Sequence, residues 1–236
     1  MRYILIPVKD LSHAKQRLAA LMTQPERTQL AWAMLENTFA TVARVRNAER
    51  VAVVTLYQPA ITLAEKYGME VVIETEQISE SASVDFGSRE LIKCGATAVL
   101  RLPIDLPLIT TEDIEVILAR NLPGPSALIV PSRDGTGTNA ILRNPSDLFA
   151  SHFGPGSLAK HLHAATQAQA HCEVMHLPRV ALDIDDPEDV AAFMAQGDTS
   201  AAYELLTNLR IQERLKAMQR GREFITVQTK SAAHET

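Results

Sequence analysis

Short, unbroken apolar runs alternate along this chain with longer helix-like stretches. Tyr3-Ile4-Leu5-Ile6-Pro7-Val8 reads as a buried first strand, and Arg50-Val51-Ala52-Val53-Val54-Thr55, Met69-Glu70-Val71-Val72-Ile73 and Ala98-Val99-Leu100-Arg101-Leu102 as the next three. Between them the pattern predicts helices. One begins at Thr23, which can cap, with Pro25 in the first turn and Glu26 completing a capping box, and runs to about Val42. A second spans Pro59 to Tyr67 and stops at Gly68, a natural C-cap; a third spans Ser83 to Cys94 and stops at Gly95. Thr111 to Arg120 is a fourth helix. Ala127 to Val130 and Thr138 to Leu142 are later strands, and Ser157 to Gln167 and Pro187 to Ala195 later helices. Strands this continuously apolar, alternating with helices, predict an α/β fold: a mostly parallel, doubly wound sheet covered on both faces.

After Gly197 the pattern changes. Ala201 to Gly221 reads as one or two helices with Tyr203, Leu205, Leu206 and Leu209 on an apolar side and a basic end of Arg210, Arg214, Lys216, Arg220 and Arg222. Residues 1–197 are expected to form the main domain and 198–236 a helical extension that frays into a tail over 226–236. The extension has three readings: a solvated helix packed on the domain, a homodimer contact, or a phosphate-binding basic end.

Composition narrows the class. With 236 residues, 46% hydrophobic and 22% charged, the chain supports one full core. Its formal net charge of -5 argues against nucleic acid as partner, because phosphate backbones call for a basic surface, but not against a nucleotide, which a few local cations hold. No apolar run reaches membrane-spanning length, and the apolar start is too short for a secretory signal. Cys94 and Cys172 have no metal-ligand spacing and read as two reduced thiols. These features predict a cytoplasmic protein with a small-molecule partner and no membrane.

Five segments are candidates for chemistry. Lys9, Lys15 and Arg17 follow the first strand, at the sheet end where ligands bind in open α/β folds. They read either as a triphosphate clamp or as an ordinary solvated turn. Asp105, in Leu102-Pro103-Ile104-Asp105-Leu106-Pro107, is a carboxylate at a strand end stiffened by two prolines, and suits a hard metal ion. Asp134-Gly135-Thr136-Gly137-Thr138-Asn139 is either a plain hairpin turn or a loop offering backbone N–H groups to an anion; Phe153-Gly154-Pro155-Gly156-Ser157 then opens a helix, with Ser157 as cap candidate. In Asp183-Ile184-Asp185-Asp186-Pro187-Glu188-Asp189, Asp186 reads as an N-cap, while Asp183 or Asp185 is placed to meet Asp105 and share a Mg²⁺. His161 and His163 do not share a helix face, so they are no zinc pair, and His161 reads as a packed or site-lining histidine.

Taken in order, these segments resemble the guanylyltransferases that make the phospho-acid half of coenzyme F-420. The resemblance rests on Ile6-Pro7-Val8-Lys9 with Ala14-Lys15-Gln16-Arg17-Leu18, the Asp105 segment, the paired loops Gly135-Thr136-Gly137-Thr138-Asn139 and Phe153-Gly154-Pro155-Gly156-Ser157 with His161, and the acidic run from Asp183. It implies a nucleotidyltransferase sheet like that of molybdenum-cofactor guanylyltransferases. It implies GTP as donor, Mg²⁺ as cofactor, and 2-phospho-L-lactate, phosphoenolpyruvate or 3-phospho-D-glycerate as acceptor. By the same resemblance Thr138, Gly154 and Ser157 hold the acceptor's phosphate or carboxylate, and Asp105 with Asp183 or Asp185 holds metal. One departure stands out: Ser81-Ala82-Ser83-Val84-Asp85-Phe86-Gly87 occupies a place where many relatives carry a Gly-Leu-Asn-like turn. An acid there makes Asp85 an expected determinant of acceptor choice. The rival expectations are a nucleotidyltransferase for a sugar phosphate or molybdopterin, and a non-catalytic nucleotide-binding module.

Overall fold

The computed structural model of the chain describes residues 1–220; Gly221, Arg222 and the expected tail lie outside them. The strands are β1 (Arg2–Pro7), β2 (Arg50–Thr55), β3 (Glu70–Ile73), β4 (Ala98–Arg101), β5 (Ser126–Pro131), β6 (Thr138–Asn144) and β7 (His171–Val174). They form one sheet in the order β3-β2-β1-β4-β6-β5-β7. All neighbours are parallel except those of β6, which runs antiparallel to both β4 and β5. The helices are α1 (Gln24–Val42), α2 (Gln58–Lys66), α3 (Glu80–Lys93), α4 (Thr111–Ala119), α5 (Ser157–Gln167), α6 (Pro178–Ala181), α7 (Pro187–Gln196) and α8 (Ala201–Asn208). β7 and the single turn α6 go beyond the sequence expectations. Both are short: the alternation of His171-Cys172-Glu173-Val174 spans only four residues, too few to mark it as a strand.

The apolar runs explain the layers. Ile4, Ile6, Val53, Leu100 and Leu128 point to one face and pack with α1, α2 and α4, while Tyr3, Leu5, Ala52, Val54 and Val99 point to the other and pack with α3. Period-two alternation in a strand buried on both faces requires apolar residues at every position. Helix boundaries follow their signals. Glu26 accepts the Thr23 N–H at 2.7 Å, and Gly68 and Gly95 close α2 and α3 with positive φ. α3 starts three residues before the expected Ser83, because Ser79 rather than a later serine is its N-cap.

The first crossovers carry the chain outward from β1 through β2 to β3, and the next strand, β4, returns to the opposite side of β1. This reversal makes a switch point between β1 and β4, and a crevice forms beyond their carboxyl ends. Leu5 stands beside Arg101 in register, and the Leu102 N–H donates to the Leu5 carbonyl, so the segments after β1 and β4 emerge side by side. Because β6 is antiparallel, its beginning at Thr138 lies at this same edge.

The C-terminal segment packs on the domain. α8 and a further helical stretch over 211–220 share an apolar cluster with Leu18, Leu21 and Met22, with Leu30 and Met34 of α1, and with Phe193 of α7. The Arg214 guanidinium grips both Glu26 oxygens at 2.8 and 2.9 Å and also donates to the Leu21 carbonyl. The extension thereby fastens the segment that follows Lys15 and Arg17.

Candidate active site: an acid cluster between two polar walls

The crevice at the switch point is a cleft of about 1160 Å³. Lys9, Lys15, Arg17, Asp105, Thr138, Gly154, Ser157, Asp183 and Asp185 all line it, although they come from positions 9 to 185 of the sequence. The volume exceeds what one drug-sized ligand fills and suits two substrates side by side.

At its floor, one oxygen from each of Asp105, Asp183 and Asp185 lies within 4.8 Å of the others. Two contacts gather them. The Ile184 N–H donates to the Asp105 carbonyl, pinning the acidic run against the Pro103–Pro107 turn. Asn139 donates its side-chain amide to the Asp183 carboxylate at 3.0 Å and to the carbonyls of Val180 and Ala181. Asp186 is spent as the N-cap of α7, in a capping box with Asp189.

Three carboxylates this close repel one another. Burial, then the charge of Asp105, lifts the Asp183 pKa to about 6, with the Asn139 hydrogen bond opposing the rise. Lys15 relieves the cluster. Its ammonium donates to Asp105 at 2.7 Å and to Asp185 at 3.0 Å. Burial works against its charge, but the two carboxylates outweigh burial and raise its pKa above that of an ordinary lysine. Burial likewise pushes Asp105 up, and the Lys15 ammonium overrides it and holds the carboxyl below its usual range. Lys15 sits in the left-handed backbone region with φ 55°, which costs of order 1 kcal/mol for a residue with a β-carbon. Arg17 is largely exposed and reaches Asp185 at 3.7 Å; Lys9 is exposed at the cleft edge. An all-oxygen set of carboxylates with residual repulsion fits a hard divalent cation.

The opposite wall holds Thr138 and the loop into α5. The residue capping α5 is Gly156, in the left-handed conformation with φ 69°, and Ser157 is the first helical residue, which corrects the expectation that Ser157 caps. Its side chain is buried in the wall and makes no hydrogen bond among the described residues. The glycine-threonine loop is a hairpin turn between β5 and β6, and its amides are largely used within it: Gly135 donates to the Ser132 carbonyl, Thr136 to the Asp134 carboxylate and Gly137 to the Ser132 hydroxyl. The anion-cradle reading of those amides therefore does not hold for this conformation, and the polar groups this wall offers include the hydroxyls of Thr138 and Ser157.

His161 sets one of them. Its Nε2 accepts the His152 N–H at 2.9 Å, which leaves the proton on Nδ1, 3.0 Å from Thr138 Oγ1. Nδ1 donates to Thr138, and the threonine's own proton stays available. Burial, followed by the charges of Arg143, His152 and Arg101, lowers the His161 pKa to about 4. The sign follows: the unfolded chain takes up this proton near pH 6.5 and the folded chain only near 4. Stability from this residue is complete above pH 6.5 and is lost as pH falls from 6.5 through 4, by about 3 kcal/mol. Urea unfolding of the parent and His161→Gln between pH 7 and 4 should show that loss in the parent and a flatter profile in the variant; parallel profiles would contradict it.

Asp85 is not among the residues lining the cleft. Its carboxylate accepts the Ser151 N–H and hydroxyl and pairs with the buried Arg143, tying α3 to the loop before α5. Asp85 therefore holds that loop and does not line the cleft, which corrects the expectation that it contacts the acceptor directly. Conversely, Arg101 and Glu80 line the cleft but carry no sequence expectation. The signal was present: Arg101 interrupts an apolar strand at a position where alternation demands a hydrophobic residue.

A parallel sheet with this switch point, an acid cluster facing a cationic turn, and a second wall of hydroxyls defines a nucleotidyltransferase-type protein. Solved structures agree on the fold. The chain superposes with a TM-score of 0.73 on a candidate nucleotide-diphospho-sugar transferase from Desulfovibrio desulfuricans G20, at 15% identity over 92% of this chain and 97% of that one. The TM-score is 0.59 with a nucleotidyl transferase from Methanothermobacter, at 16% identity over 83% of this chain and 97% of that one. Within that class the chain belongs to the guanylyl transferase CofC-like family, whose sequence profile matches residues 1–228. Among its relatives, a phosphoenolpyruvate guanylyltransferase of Rubrobacter xylanophilus is 35% identical over 83% of this chain and 94% of its own length. A 3-phospho-D-glycerate guanylyltransferase of Colwellia psychrerythraea is 30% identical over 79% of this chain and 88% of its own length.

Proposed function

We propose that the protein transfers GMP from GTP to a small phosphorylated three-carbon acid (phosphoenolpyruvate, 2-phospho-L-lactate or 3-phospho-D-glycerate) and releases pyrophosphate, in the assembly of coenzyme F-420. The observation that carries this reading is the cleft with two unlike walls. One is cationic and faces an acid cluster; the other is lined by the hydroxyls of Thr138 and Ser157. The family and the names of its relatives supply the guanine and the acceptor class.

In this reading an oxygen of the acceptor's phosphate attacks the α-phosphorus of GTP, and the bond to the pyrophosphate oxygen breaks. The nucleophile is already anionic, so no side chain has to remove a proton. The barrier is repulsion between anions, and the chain's task is positioning and charge neutralisation. Lys9 and Arg17 hold the triphosphate at the mouth of the cleft, and Lys15 adds a positive charge at its floor. Asp105, Asp183 and Asp185 would hold Mg²⁺, which when bound supplies further neutralisation of the phosphate oxygens. Thr138, Gly154 and Ser157 receive the acceptor.

Ser157→Ala tests the acceptor wall. Losing one hydrogen bond to a charged group costs roughly 1.5–3 kcal/mol, so the KM for the acceptor should rise roughly tenfold to a hundredfold. GTP affinity should stay at the parent value. An unchanged acceptor KM in a folded variant would place the acceptor elsewhere.

A further inference from the structure

Two arginines, Arg101 and Arg143, are buried on the α3 face of the sheet, in strands that neighbour each other. Their situations differ. Arg143 donates to the Phe149 carbonyl, the Ser88 hydroxyl and Asp85, and it does not line the cleft. Both of its terminal nitrogens are engaged in holding the fold. Arg101 lies at the end of β4 and lines the cleft. One of its terminal nitrogens donates to the carbonyls of Thr138 and Asn139, the other pairs with Glu80, and Nε has no partner. The Phe153 ring lies 4.1 Å from its central carbon, fixing the plane of the guanidinium from one side. Arg101 is thus a rigid, buried cation with spare donor capacity, on the wall that carries Thr138 and Ser157.

Glu80, by contrast, is easily displaced. It is the first residue of α3 and its side chain is one-third exposed, whereas that of Arg101 is 6% exposed. A half-solvated carboxylate on a buried guanidinium is what another carboxylate would compete with.

We propose that Arg101 is the residue that selects a carboxylate-bearing acceptor: it binds the acceptor's carboxylate, and Glu80 occupies that place when the cleft holds no acceptor. This rests on the guanylyltransferase reading above. Such an acceptor has two anionic ends. The phosphate is the nucleophile and must approach the acid cluster and the triphosphate. The carboxylate is the end left for the side of the cleft that carries Thr138 and Ser157, where Arg101 is a buried cation whose charge also reaches Asp105 and Asp183. A phosphate ester without the carboxylate would leave Arg101 paired with Glu80 and gain nothing from it.

The test compares 3-phospho-D-glycerate with glycerol 3-phosphate, which replaces the carboxylate by a hydroxymethyl group, together with phosphoenolpyruvate and 2-phospho-L-lactate. For Arg101→Gln, kcat/KM for the best carboxylate acceptor should fall roughly tenfold to a hundredfold, mostly through KM, while the rate with glycerol 3-phosphate and the binding of GTP hardly change. Arg101→Lys keeps the charge but loses the planar fork and should fall between. Glu80→Gln, at a partly exposed helix start and independent of any folding defect at Arg101, should lower KM several-fold for the carboxylate acceptors only. An equal loss for acceptors with and without the carboxylate, or no acceptor-dependent change in Glu80→Gln, overturns the proposal and leaves the guanylyltransferase reading standing. A parent protein that transfers GMP to none of the phospho-acids overturns both.

Discussion

Asp105→Asn should lose turnover by roughly 1,000-fold while the protein stays folded. The side chain keeps its shape, and the backbone carbonyl of Asp105 that receives the Ile184 N–H is untouched. Lys15 retains Asp185 as an ion-pair partner. Removing one of three crowded carboxylates also removes the second-largest influence that raises the Asp183 pKa, so the folded state is relieved of repulsion. Losing the Lys15 ion pair to Asp105 opposes that relief, so the thermal midpoint should stay close to that of the parent. What disappears is the charge that completes the acid cluster, and with it Mg²⁺-dependent turnover. If Asp105 were only a turn residue, the variant would instead unfold earlier and retain near-normal kcat. Thermal unfolding and turnover measured on the same preparation separate the two.

Lys15→Met should give the second large effect, and here stability falls with activity. The methionine fills the space but leaves Asp105 without the ammonium that holds it ionised. Unpairing a largely buried carboxylate costs about 2 kcal/mol once its partial exposure is allowed for. The pH dependence follows in sign. In the parent, Asp105 has a depressed pKa, so its contribution is present above about pH 4 and lost on acidification. In the variant that carboxyl loses the cation that depresses it and moves up, so the gap to the parent narrows on acidification. Mg²⁺ should raise the midpoint of the variant more than that of the parent, because no lysine competes for the same oxygens. Turnover should drop roughly 100-fold. A variant with the parent's midpoint at pH 8 and the parent's turnover contradicts this account of the cluster.

Much of this architecture can be read from the chain because local signals agree with it. Apolar runs too continuous for a one-sided sheet identify β1 to β6, and Thr23, Gly68 and Asp186 mark helix ends through their own hydrogen bonds and dihedral preferences. The cleft residues were also accessible, since carboxyl ends of strands are where such sheets bind ligands. What the sequence could not supply is who partners whom. That Lys15 lies on Asp105 depends on β1 and β4 being neighbours, and on a left-handed backbone at a lysine that no composition rule anticipates. That Asp85 is taken up by Ser151 and Arg143 depends on the antiparallel entry of β6. The Thr138 hydroxyl is freed by a histidine 23 residues away, a distance that helix and strand patterns do not encode. Arg101 was visible as a break in an apolar run, but a lone arginine in a strand does not reveal which side it faces.

The central claim is that this cleft joins GMP to a phosphorylated three-carbon acid. Its most direct test is to incubate the purified full chain with Mg²⁺, GTP and each of phosphoenolpyruvate, 2-phospho-L-lactate and 3-phospho-D-glycerate, and to identify the product by ³¹P NMR. At least one acceptor should yield the two coupled diphosphate resonances of a GMP–phospho-acid anhydride with stoichiometric pyrophosphate, and ATP or CTP in place of GTP should yield far less. Unchanged GTP with all three acceptors, or equal product from ATP and CTP, would contradict it.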